Sequence, residues 1–319
     1  MSEVTVGIDI GGTNTKIGIV DRAGKLLQHA SIETTAYVEV EDYFTAMANA
    51  VRKLKKKLDP DIQLIGIGVG AANGNYYTGT IDRSTNLRWK GTIHLAKMFN
   101  QEFDIPCLLT NDANAAALGE MIYGNAKGMK DFIVITLGTG LGSGFVCNGH
   151  LLNGHNGIAG ELGHTSVTPN GRHCNCGKRG CLETYVSATG IRRTVYKLLA
   201  DYLEPSELRG ISFEKLNTKM ITDAALRGDV VAKQCFEYTG RILGIKLSDT
   251  VVHTDPEAIF IFGGLAQAGD LIFAPTIKHM EENLMPLFRG KVKVLPSGLQ
   301  DQAAPILGAS SLVWDYLKK

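Results

Sequence analysis

Val4-Thr5-Val6-Gly7-Ile8-Asp9-Ile10 alternates apolar with small or polar residues, then breaks at Gly11-Gly12-Thr13-Asn14-Thr15-Lys16. Period-two alternation marks a strand with one face buried, and the glycines mark a turn. Apolar residues resume at Ile17-Gly18-Ile19-Val20 and stop at Asp21-Arg22-Ala23-Gly24, so the opening segment predicts a β-meander. A second copy follows further on. Phe132 to Leu137 enters Gly138-Thr139-Gly140 and leaves through Phe145-Val146-Cys147 to Asn148-Gly149. Two strand-turn-strand units imply two related domains.

Between and after these copies, strand and helix patterns alternate, as in an α/β layer. Phe44, Met47, Val51, Leu54 and Leu58 recur at helical spacing, and Ile62 to Val69 reads as a buried strand. A helix over Leu95 to Phe103, a strand over Cys107 to Thr110 and a helix over Asn114 to Ile122 continue the series. Later segments predict helices from Leu182 to Leu203 and from Val230 to Val252, a strand Ala258 to Phe262 ending at Gly263-Gly264, and a closing helix from Ala304 to Leu317. With 319 residues the chain exceeds what one core comfortably fills. The expected division is a small N-terminal α/β domain over 1–118, completed by the C-terminal helix 304–319, and a larger α/β domain over 119–303.

Composition narrows the function classes. Apolar residues are 44% and charged residues 20%, ordinary globular values. The 33 basic and 32 acidic residues leave a net charge of +1, so no global field recruits nucleic acid or an anionic membrane. No apolar stretch has the length of a membrane helix, and no signal segment precedes Val4, so a cytoplasmic location is expected. The Lys53 to Lys57 cluster reads as a solvated helix end.

Asp9 closes a strand and Gly11, Gly12 and Thr13 follow. Such a turn brings backbone N–H groups close to phosphate oxygens, or its glycines simply meet positive-φ requirements of a hairpin. Leu137 to Gly144 is no dinucleotide fingerprint, because a strand rather than a helix follows the glycines. Gly171 to Lys178 is no P-loop, since the spacing is one residue too long and Arg179 stands where Ser or Thr is required. Asn111-Asp112-Ala113-Asn114 lies at a strand's carboxyl end, where α/β sheets place ligands. Asp112 reads either as a chemical group or as a helix cap, with Asn114 as the alternative cap. Six cysteines include Cys174, Cys176 and Cys181, which with His164 make a closed set of three sulfur donors and one nitrogen donor for a structural Zn2+. Glu161 and Glu183 flank that set and are suited to bidentate bonds with sugar hydroxyls.

These stretches, together with Gly157-Ile158-Ala159-Gly160-Glu161-Leu162-Gly163-His164 and Gly263-Gly264, resemble the ROK family (repressor, open reading frame, kinase) across nearly the whole chain. The resemblance implies two RNase H-like domains of the actin, hexokinase and heat-shock chaperone type around a central cleft, with a zinc loop. It implies an ATP-dependent hexose kinase of glycolysis, glucokinase-like, that uses Mg2+ and forms a homodimer. Asp112 would be the catalytic base. Asn86, Asn111, Glu161, His164 and Glu183 would hold the sugar. Gly11, Gly12, Thr13, Lys16, Gly138, Thr139 and Gly140 would meet phosphates, Asp9 would orient Mg2+ through water, and Gly263 and Gly264 would meet the adenosine. N-acetylmannosamine, N-acetylglucosamine, allose and fructose are alternative acceptors. A sugar-sensing repressor, the other class in this family, carries a helix-turn-helix module before the first glycine turn, and none is expected here. Ala71-Ala72-Asn73-Gly74 stands where many members have Pro-Gly, on the sugar side.

Overall fold

The structure, a computed structural model, describes residues 2–83, 87–299 and 303–318. Asn86 lies outside the described residues. The chain divides into two compact units, one comprising 1–129, 144–160 and 297–319, the other 130–143 and 161–296. Sequence alone suggested one border after residue 118 and one return to the first domain at 304. The chain instead passes between units at four points, because a segment of each half is returned to the first unit.

The first unit opens with the meander β1 (Glu3–Ile10), β2 (Asn14–Asp21) and β3 (Leu26–Glu33), followed by α1 (Val40–Lys55) and β4 (Gln63–Ala71). Three short strands follow, β5 (Gly74–Asn75), β6 (Thr80–Asp82) and β7 (Thr92–Ile93). Then come α2 (Leu95–Phe103), β8 (Cys107–Thr110) and α3 (Asp112–Tyr123). The sheet order is β3-β2-β1-β4-β8, with β1 antiparallel to β2 and parallel to β4. Ile8, Ile17, Ile67 and Val69 are fully buried in it. Each such side chain removed from water contributes about 1.5–3 kcal/mol before the entropy of ordering is counted.

In the second unit, β9 (Phe132–Leu137) leads to β10 (Leu141–Cys147), whose last residues belong to the first unit, as does β11 (His150–Leu151). The helices are α4 (Ala188–Asp201), α5 (Thr218–Leu226), α6 (Val230–Thr254) and, after β12 (Ala258–Phe262), α7 (Asp270–Asn283). The strand β13 (Lys293–Pro296) completes the sheet. Its order is β11-β10-β9-β12-β13, the order of the first sheet position for position. The internal repeat read from the two glycine turns is therefore a repeat of topology. The closing helix α8 (Ala304–Tyr316) packs on β1 and β4 of the first unit.

One expected helix is shorter than its sequence pattern. Leu182–Thr184 is a single 3-10 turn, and α4 begins only at Ala188 because Ser187 caps it, accepting from the Gly190 amide at 2.9 Å. Among the described residues no helix is long and apolar enough to cross a membrane.

Candidate active site and metal centre

In the first unit two carboxylates converge. Asp9 is the penultimate residue of β1, opposite Lys16 of β2, and Asp112 is the first residue of α3, at the carboxyl end of β8. Asn111 is the helix cap, its Oδ1 accepting from the Ala113 amide at 2.8 Å, which corrects the assignment of that role to Asn114. Asp112 Oδ1 accepts from the same amide at 2.9 Å. Capping thus occupies one oxygen of each side chain and leaves the second Asp112 oxygen for chemistry. Asp112 reaches solvent, yet enough protein surrounds it that desolvation raises its pKa against the opposing pull of backbone amides. Burial also pushes Asp9 up to about 6, helped by the charge of Asp112 and opposed by Lys16. Two carboxylates in partial competition for ionisation attract a cation or hold a proton.

The turn after Asp9 is not a positive-φ hairpin. Gly11 and Gly12 have ordinary φ, and Gly11 is needed because a side chain there would stand 2.8 Å from the Asn14 carbonyl. Thr13 is exposed, and its carbonyl accepts from Thr34 N at 2.8 Å. Asn73 adopts left-handed φ of 59° in the loop that replaces Pro-Gly, and its Nδ2 donates to the carbonyls of Asp82 and Arg83. Sequence reading missed Asn75 beside it, whose Nδ2 donates to Asn156 O at 2.7 Å and so ties this loop to the Gly154–Gly160 segment.

The second unit carries the metal-ligand set. His164, Cys174, Cys176 and Cys181 place their ligand atoms within 4.8 Å of one another. Tetrahedral Zn2+ with bonds of about 2.0–2.3 Å demands ligand separations of roughly 3.5–3.8 Å. Cys176 and Cys181 sulfurs are 3.7 Å apart, as are Cys174 Sγ and His164 Nδ1. The residues present fit Zn2+. Gly177 and Gly180, at φ of 90° and 75°, make the left-handed turns that bring the sulfurs together. With Nδ1 turned to the sulfurs, His164 Nε2 faces Glu161 Oε2 at 3.9 Å. One imidazole can therefore ligate a metal on one side and address a ligand on the other.

Glu183 is held by the same loop, accepting from the Cys174 thiol at 2.9 Å. A metal-bound thiolate has no proton to donate, so metal loading would free that carboxylate oxygen. Its other oxygen lies against the second glycine turn, 2.6 Å from where a methyl on Gly140 would stand. Glycine at 140 is thus a condition for Glu183 to reach the turn. Gly138 N–H bonds Gly140 O at 3.1 Å, and Gly138 O accepts from Ala188 N, the first residue of α4. Thr139 lies exposed between them. Gly263, at φ of 105°, packs on the Leu137 carbonyl, while Gly264 faces open space. The two later glycine positions, Gly138 and Gly264, both leave room for a ligand.

Two further residues escaped the sequence reading. Ser143 Oγ accepts from Leu162 N at 3.1 Å and seats the Glu161–His164 turn. Arg172 is a half-buried strut. Its guanidinium donates to the carbonyls of Thr184 and Gly190 and to Thr194 Oγ1 at 2.8–3.0 Å, and stacks over Tyr185 at 4.5 Å. Only its place within the cysteine stretch could have drawn attention to it.

The sequence matches the ROK family over residues 5–316. The chain belongs to the ROK family. A glucokinase of Halalkalibacterium halodurans is 37% identical over 88% of this chain and 86% of its own length. A ROK glucokinase of Streptomyces griseus, solved with glucose and AMPPNP, superposes with a TM-score of 0.80 at 31% identity, covering 97% of this chain and 98% of that one. The xylose repressor of Bacillus spizizenii is 28% identical over 98% of this chain, which spans 77% of the repressor. This ROK chain thus shares the α/β fold of known sugar kinases.

Proposed function

We propose that this ROK-family, ATP-dependent sugar kinase phosphorylates a hexose, glucose first, at the 6-hydroxyl, with Asp112 as general base. One observation carries the reading: Glu183, fixed by the cysteine loop, abuts the Gly138-Thr139-Gly140 turn. A group suited to sugar hydroxyls and a turn suited to phosphates are neighbours, as transfer between the two requires.

In this reading Glu161, His164 Nε2, Glu183 and the Asn111 amide hold the sugar, together with Asn86. Asp112 accepts the hydroxyl proton as the sugar oxygen bonds to the γ-phosphorus. The bond to the β,γ-bridging oxygen breaks, and ADP leaves. The raised pKa of Asp112 makes it a stronger base than an ordinary carboxylate. Gly11, Gly12, Thr13, Lys16, Gly138, Thr139 and Gly140 meet the phosphates, and Gly263 with Gly264 meets the adenosine. Mg2+ would be held through water by Asp9 and would neutralise phosphate charge. Zn2+ at His164, Cys174, Cys176 and Cys181 would be structural, since the four ligands leave no open position. We infer a cytoplasmic homodimer that needs no nucleic acid. Alternative acceptors are N-acetylmannosamine, N-acetylglucosamine, allose and fructose.

A coupled ADP-release assay across these sugars tests the proposal. The expected result is highest kcat/KM with glucose. Sugar-independent ADP release would contradict it, and no release with any sugar would contradict it and favour the repressor class.

A further inference from the structure

Behind the first glycine turn lies a buried chain of hydroxyls. Thr34 Oγ1 donates to the Gly11 carbonyl at 2.9 Å. Thr34 Oγ1 also lies 2.8 Å from Thr15 Oγ1, which in turn bonds the phenol of Tyr43 on α1. A hydroxyl has one proton to give. Thr34 spends its proton on Gly11, so it must accept from Thr15. Thr15 has then spent its own, so it must accept from Tyr43. The chain therefore runs one way, from Tyr43 through Thr15 and Thr34 to the Gly11 carbonyl. Tyr43, Thr15 and Thr34 are all buried, and burial pushes the Tyr43 phenol up to about 12, so it remains a donor at neutral pH.

The end point matters because the peptide unit is planar, with C=O and N–H pointing to opposite sides. A Gly11 carbonyl turned inward to Thr34 turns the Gly12 N–H outward. The far end of the chain is fixed as well. The Tyr43 ring stacks on Trp89 at 4.7 Å, and Trp89 Nε1 donates to Val38 O at 2.7 Å.

We propose that Tyr43, Thr15 and Thr34 are positioning residues that pin the Gly11–Gly12 peptide with its N–H presented to a nucleotide phosphate, and that Trp89 senses this occupancy through its stack on Tyr43. The proposal rests on the kinase reading above. Aligned hydroxyls polarise one another, so cutting the chain at any link loosens its end.

The test uses the full chain carrying Trp314→Phe, which leaves Trp89 as the one tryptophan of the two in the sequence. Mg2+-ADP is titrated without sugar, with calorimetry run in parallel. The expected result is a saturable change in Trp89 emission that tracks the calorimetric binding curve. Tyr43→Phe keeps the stack but removes the first hydroxyl, and Thr34→Val removes the last, the one that bonds the Gly11 carbonyl. Each should weaken ADP about fivefold and raise the KM for ATP similarly, the worth of one buried hydrogen bond, with the KM for sugar unchanged. Each should also lose most of the emission change. If Trp314→Phe does not fold, the signal is read as the difference between wild-type and Trp89→Phe. ADP binding with silent Trp89, or Tyr43→Phe and Thr34→Val that bind ADP as wild-type does, would overturn the relay alone. Calorimetry showing no ADP binding to wild-type would overturn the kinase reading with it.

Discussion

Asp112 of the first unit and Glu183 of the second are both carboxylates with proposed roles in the reaction, yet they are held in different ways. Asp112 stands on regular structure, between the end of β8 and the first turn of α3, with Asn111 capping the same turn. The backbone that positions it is bonded whether or not any ligand is present. Glu183 stands on a 3-10 turn after a loop whose turns are set by glycines and whose sulfurs lie at separations that suit a metal. The Arg172 strut, with Zn2+ as proposed, would take the place that sheet and helix fill in the first unit. Under the proposed function, the comparison assigns chemistry to the part the fold fixes, and recognition to the part a metal would fix.

That division breaks most visibly at Asp112. Asp112→Asn keeps the shape and removes the base, so kcat should fall by roughly 10²–10⁴, measured by steady-state kinetics with the KM for sugar nearly unchanged. Cys176→Ser should shift the other parameter. Loss of a metal ligand should raise the sugar KM at least ~10–100-fold, the range for disturbing a metal site's support, with zinc content read by elemental analysis. Arg172→Met sharpens the contrast, since it should retain zinc while raising the sugar KM by a smaller factor, about 3–10-fold for lost carbonyl bonds.

The smallest effect concerns stability at Asp9. Its folded pKa of about 6 lies above the ordinary 3.8, so the folded state holds the proton more tightly than the unfolded one. Stability from this group is full below about pH 4 and is lost as pH rises through 6. Asp9→Asn should therefore flatten the pH dependence of Tm between about pH 4 and 6 and stabilise the ligand-free protein at pH 7 by about 1–3 kcal/mol, while lowering activity with Mg2+-ATP.

Much of this was legible because period and punctuation survive in one dimension. The alternation from Val4 to Ile10 and its echo at Phe132 to Leu137 disclosed two sheets of one topology, and the spacing of Cys174, Cys176 and Cys181 disclosed the ligand set. What did not show was which glycine serves which purpose. Gly140 makes room for Glu183, whereas Gly144, four residues on, packs on Ala113 and Ala117 of α3. The helix expected from Leu182 was too long because Ser187 caps at a point that apolar spacing cannot see. The passage of residues 144–160 and 297–299 to the first unit is likewise a matter of tertiary packing, as are Arg172 and the direction of the Tyr43 chain.

The most direct measurement is calorimetric titration of glucose into Asp112→Asn, zinc-loaded and then chelated, beside its turnover. Binding within about threefold of wild-type when loaded, collapse of that binding on chelation, and turnover slower by two orders of magnitude or more are the predicted results. Wild-type turnover, or glucose binding indifferent to zinc, would contradict the division of labour between the two carboxylates.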